Sequence, residues 1–258
     1  MTTPKIETVS IDGRRFYKHP TQKHLKVPSV TSVLDMLPAP YLRKWNSKIT
    51  AESAVQNLEH VNELASKSKT RAIEWLKGAP DRELEKAGTM GDRVHKILED
   101  LINDPLGTVV EDDLMPYVDG FYQFCDRFEP EWLFIERPIF SVTHLYAGSF
   151  DAICKIKDKN YMLDFKTTRS GISSKVAMQL AAYARADIMF DDENNEVELP
   201  EIHAGAALWL RPDKWAFQPL RIDDDVFHTF LSLRRVFEWE QQRSKTAMLA
   251  PVANKSLL

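Results

Sequence analysis

"YMLDFKTTRS", residues 161–170, decides how this chain is read. Tyr161, Met162 and Leu163 open an apolar strand, yet Asp164 and Lys166 follow at once. In a strand, residues i and i+2 share a face. Asp164 and Lys166 therefore point one way, and Leu163, Phe165 and Thr167 the other. A salt bridge on an exposed face would account for an Asp-x-Lys pair, but the apolar neighbours argue against full exposure. Two buried charges are costly unless they pair or bind an ion.

The preceding stretch repeats the anomaly. "GSFDAIC", residues 148–154, sets Asp151 among Phe150, Ala152, Ile153 and Cys154. As a strand-end residue it would only make a turn contact. A hairpin between the two strands brings Asp151 toward Asp164, where two carboxylates repel unless a divalent cation lies between them. Oxygen donors favour Mg²⁺ or Mn²⁺ over zinc.

Outward from this hairpin, β-branched and aromatic residues predict strands in "EWLFIERPIFSV" and, around Pro212-Asp213-Lys214, in "HAGAALWL" and "WAFQPLRI". "SSKVAMQLAAYARADIMF", residues 173–190, is expected to be one helix, with Ser173 or Ser174 near its cap. A last helix is expected from about Asp224 to Arg243. In the N-terminal half, Asp12-Gly13 marks a type I′ hairpin, and Ser29 or Thr31 caps a short helix. Helical spacing then runs from Ala39 to about Leu76, Pro80 opens a further helix, and another runs from Asp113 to about Phe128. The acidic "DDENNEVE", residues 191–198, reads as a solvated loop. The predicted fold is an α/β core with a helical addition.

Two helical fragments complete a constellation. Gln179 and Tyr183 stand at i and i+4 and share a face; alone they would be a solvated residue and a core residue. His95 borders the apolar face of "MGDRVHKILEDL", where a structural role is the ordinary one, and Gly91 one turn earlier would admit another element.

"GDRVH", "GSFD", "DFKT" and "QLAAY", in this order on a helix, two strands and a helix, resemble the RecB-type nuclease domain of the PD-(D/E)XK superfamily. The resemblance covers roughly Gly88 to Trp215, and "PSVTSVLDMLPAPYLRKW" resembles the start of phage-encoded exonucleases of this group. It implies a restriction-endonuclease-like core, a mixed central sheet flanked by helices, over 79–245, an N-terminal hairpin and helical extension over 1–78, and a tail over 246–258. It implies Asp151, Asp164 and His95 as metal ligands for Mg²⁺ or Mn²⁺, and Lys166 as the group that positions water and stabilises phosphate charge. Gln179 and Tyr183 would orient the scissile strand or the lysine. Glu136 in "FIERPIF" stands where many members carry a glutamate, although a salt bridge would explain it equally well. The implied activity is metal-dependent DNA exonuclease action in phage recombination or replication, with a homo-oligomer or a recombination protein as partner. An internally cutting endonuclease, or a DNA-binding protein that kept the fold, are the alternatives.

Departures from the family narrow this. Iron–sulfur members use four cysteines; Cys125 and Cys154 are two, in other places, so no cluster is expected. No phosphate-loop motif predicts an ATPase. The net charge of −4 argues against a basic coat for nucleic acid but not against a local groove. "RKWNSK", with Arg43, Lys44 and Trp45, could line one, or be a solvated helix face over a core Trp. No apolar run reaches the roughly 20 residues that a bilayer requires, and no leader pattern opens the chain, so a cytoplasmic location without membrane contact is expected.

Overall fold

A computed structural model describes residues 6–22 and 24–249. The end of the expected tail, from residue 250, lies outside the described residues. The chain begins with strands β1 (Thr8–Ile11), β2 (Arg14–Lys18) and β3 (Lys26–Pro28), which form an antiparallel three-stranded sheet. Asp12 and Gly13 both take positive φ at the first turn, as a type I′ hairpin requires. Helix α1 (Val30–Leu34) is capped by Ser29, whose hydroxyl accepts from Ser32 N at 3.0 Å. Helices α2 (Tyr41–Gln56), α3 (Leu58–Lys67) and α4 (Lys69–Lys77) follow, and α2 and α3 bury no residue. The long α5 (Ala79–Asn103) has Pro80 in its first turn, and α6 is Met115–Phe128.

The second half builds a mixed sheet. Strands β4 (Glu131–Ser141), β5 (Tyr146–Ile156) and β6 (Lys159–Lys166) are antiparallel neighbours. Helix α7 (Lys175–Tyr183) precedes the short β7 (Ile188–Phe190) and β8 (Glu196–Val197). Strands β9 (Ala204–Arg211) and β10 (Lys214–Leu220) lead to α8 (Asp224–Gln241). The seven-stranded order is β10-β9-β6-β5-β4-β7-β8, with β6 and β9 parallel.

One expectation fails here and another is refined. The helix expected over 173–190 stops at Tyr183, because Ile188 and Met189 pair with Phe140 and Ile139 on β4. Tertiary pairing outweighs the helical continuation of "ARADIMF". The acidic stretch 191–198 is solvent-exposed over residues 193–196, as expected, but is an ordered turn rather than a plain loop. Asp191 accepts from Glu193 N and Asn195 N, Asp192 forms a bidentate ion pair with Arg137, and β8 closes the hairpin.

Period-2 alternation on the central strands sorts side chains between two cores. Met162 and Ala207 join α1, α7 and α8 on one face; Leu163, Phe165, Ala206 and Leu208 join α5 and α6 on the other. Residues 6–34, expected with the extension, pack into the body. Val30 and Val33 enter the first core, and Tyr17 and Val27 meet Phe140 and Phe190. Cys125 and Cys154 are free thiols, and burial pushes both up to about 12.

Candidate metal centre and its lysine

Strands β5 and β6 pair from Ile156 and Lys159 as far as Ala152 and Leu163, and then part. Where the ladder stops, a side chain takes over: Phe165 N donates to Asp151 Oδ2 at 2.6 Å. That bond fixes Asp151 at the opened end of the hairpin. His95 reaches the same place from α5, its Nδ1 lying 3.5 Å from Asp151 Oδ2 and its ring edge-on to Phe165. Glu136 arrives from β4, between residues that pair with Ala152 and Phe150 and so opposite Asp151. Its φ is +48°, a left-handed backbone within a strand, which for a non-glycine residue is strained and held only by its surroundings. Donor atoms of His95, Glu136 and Asp151 all lie within 4.8 Å of one another.

Asp164 and Lys166 share a face, as expected, and form an ion pair at 2.6 Å. The carboxylate is 1% exposed and the Lys166 side chain about a quarter exposed. Gln179 Nε2 donates to Asp164 Oδ1 at 3.0 Å and reaches the Tyr183 hydroxyl at 3.3 Å. Among the described residues Asp164 Oδ2 has no hydrogen bond of good geometry, and the Lys166 ammonium stands beside it. Asp164 pairs with Lys166, and the converging donors of His95 and Asp151 are joined by Glu136. Gly148 is required by Tyr183, since a Cβ at that position would lie 2.5 Å from Tyr183 Cε1. Thr167 is the element that approaches Gly91, where a methyl would meet it at an ordinary 3.4 Å.

A cleft of about 520 Å³ opens over His95, Glu136, Asp151, Gln179 and Tyr183; Asp164 and Lys166 are not among the described residues that line it. Arg15 and Tyr17 of β2 line it, as do Lys96 and Glu99 of α5; none was singled out from the sequence. Glu99 had a signal, because it stands at i+4 from His95 on one helix. Arg43, Lys44 and Trp45 lie in the first turns of α2, the first two exposed, and are not among the described residues that line this cleft.

The electrostatics fit a cation. Burial and then Asp151 push the Glu136 carboxyl up to about 8. Burial pushes Asp164 up to about 6, opposed by Lys166 and reinforced by Asp151. Burial works against the Lys166 ammonium, but Asp164 and Asp151 outweigh it and hold the amine above its ordinary value. The centre thus holds more carboxylate than one lysine neutralises, with two carboxylate donors and an imidazole on one spot. Such a donor set suits a divalent cation.

This charge excess has a consequence for stability. Glu136 titrates near 8 when folded and near 4.5 as a free side chain. The folded state therefore keeps a proton that the unfolded chain releases between those values. Its stabilising contribution is complete below pH 4.5 and is lost as pH rises through 8. The expected loss is on the order of a few kcal/mol. In EDTA, the melting temperature of the wild type should fall from pH 5 to pH 9 more steeply than that of Glu136→Gln. Parallel profiles would mean that Glu136 is not held protonated by this site.

No family model and no curated protein matches the chain. Among solved structures it is similar to one described as "Crystal structure of SSO0001", at 17% identity over 50% of this chain and 59% of that chain, with a TM-score of 0.30. That likeness is too loose to speak for fold or function. The chain spans less than two thirds of that structure's length. Among the described residues, no helix is long and apolar enough to cross a membrane.

Proposed function

We propose that this chain is a divalent-metal-dependent deoxyribonuclease of PD-(D/E)XK architecture, acting as an exonuclease on DNA ends. One observation carries the reading: the His95, Glu136 and Asp151 donors converge, and one backbone hydrogen bond, Phe165 N to Asp151, ties them to the strand that bears Asp164 and Lys166. The mixed sheet flanked by helices, and the succession of β5, β6 and α7 that delivers these groups, support the architecture.

His95, Glu136 and Asp151 would hold the cation. When bound, it supplies an activated water and neutralises charge on the phosphate. The protein's own residues do the rest. Asp164 keeps Lys166 charged and aimed, so that the ammonium faces the phosphate on which negative charge develops. Gln179 fixes Asp164 and meets the Tyr183 hydroxyl, whose proton burial retains by raising its pKa. No covalent nucleophile is needed. A setting in phage recombination or replication, and a homo-oligomer or recombination partner, belong to the same proposal.

End-labelled linear DNA and closed circles, single- and double-stranded, incubated with Mg²⁺, Mn²⁺ or EDTA, test the reading. Degradation of linear DNA alone, abolished by EDTA, is expected. Cut circles would make the chain an endonuclease. DNA bound but intact under every metal would make it a binding protein that kept the fold.

A further inference from the structure

A second groove, of about 430 Å³, lies between the helical extension and the first turns of α5. Trp75 of α4, Arg82 and Lys86 of α5, and Arg169 line it. Arg169 stands three residues beyond Lys166 on a segment pinned from below. Trp209 Nε1 donates to Thr168 O, and an Arg211 guanidinium N–H to Thr167 O, both at 2.7 Å. The Arg82 guanidinium stacks 4.4 Å over the Trp75 ring. Lys86 is exposed and makes no ion pair among the described residues. The groove's acids are already matched: Glu52 faces Lys48 at 3.6 Å and Glu83 faces Arg169 at 3.2 Å. Arg82 and Lys86 are therefore in excess, in a protein whose formal charge is −4.

We infer that this groove binds the phosphate backbone of DNA at a distance from the scissile bond, an inference that rests on the nuclease reading. Three cations on a pinned loop and a helix match a polyanion and no apolar partner. Guanidinium groups suit phosphate through paired N–H donors and weak hydration. The exposed pair between Arg169 and Glu83 is of the weak surface kind and exchanges readily for phosphate. The groove shares two elements with the metal centre: α5 carries His95, and the segment after β6 carries Arg169. Lys86 and His95 are about 14 Å apart along α5 and, nine residues apart, on opposite sides of it. At a duplex rise of about 3.4 Å, that is about four phosphates. DNA held in the groove would have to pass around α5 to reach the metal centre, so the cleaved bond would lie at least that many nucleotides away.

The test separates the groove from the chemistry. Anisotropy of a labelled linear duplex in EDTA measures binding across a salt series. Hydrolysis of a dinucleotide with Mn²⁺ reports the metal centre alone. In the Arg82→Gln/Lys86→Gln/Arg169→Gln variant, Kd should rise at least about tenfold and the log–log salt slope should flatten by about two to three. Dinucleotide hydrolysis should be unchanged. Lys86→Gln alone, at an exposed position that cannot disturb packing, should flatten the slope by about one. Wild-type Kd and slope in both variants, or no DNA binding by the wild type, would overturn the groove whatever the dinucleotide assay shows. Binding lost in the variants while the wild type hydrolyses nothing would keep the groove and remove the nuclease reading.

Discussion

Asp151→Asn is expected to lower DNA hydrolysis about a hundred- to a thousandfold, the scale on which losing one centre of transition-state stabilisation is felt. Asp151 is the joint of the site. Its Oδ2 accepts from Phe165 N, lies near His95, and belongs to the group that includes Glu136. Asparagine keeps an oxygen for Phe165 N and removes the charge that a cation needs. The fold should therefore survive, with a circular dichroism spectrum and melting temperature close to wild type in EDTA. Wild-type turnover in this variant would remove the metal centre from the reaction.

Lys166→Met is the second large effect, at least about a hundredfold in kcat with little change in metal affinity. Lys166 sits against Asp164, and methionine keeps most of its apolar stem. The loss should fall on kcat, because the ammonium acts on charge that grows during the reaction. Unchanged kcat would show that the lysine only neutralises Asp164. The reverse substitution, Asp164→Ala, is a poorer test than strand periodicity alone suggests. It relieves repulsion with Asp151 but leaves a largely buried ammonium without its partner. Asp164→Asn, which retains an acceptor for Gln179, separates charge from packing.

Much of this arrangement was legible in residue order. Alternation put Asp164 and Lys166 on one face, and i, i+4 spacing put Gln179 beside Tyr183; the ion pair and the hydrogen bonds follow from those periods. The expected hairpin brings Asp151 to the strand of Asp164, where its Oδ2 accepts from Phe165 N. What periodicity does not carry is where a ladder stops. Glu136 joins His95 and Asp151 because β5 and β6 part after Leu163 and because its own backbone turns left-handed, neither of which a strand pattern announces. Arg15 and Tyr17 line the cleft because residues 6–34 fold back onto the sheet, through long-range contacts such as Val33 in the core beneath α7. The misplaced helix end has the same cause: Ile188 and Met189 had a partner in β4 more than forty residues away in sequence.

The most direct measurement is a Mn²⁺ titration at pH 8, with free Mn²⁺ followed by electron paramagnetic resonance, on the wild type and on Asp151→Asn and Glu136→Gln. The account predicts saturable binding by the wild type that each substitution weakens at least about tenfold, the scale seen when even the partners of metal ligands are lost. Equal affinity in all three proteins, or no binding by the wild type, would contradict a metal centre built from His95, Glu136 and Asp151.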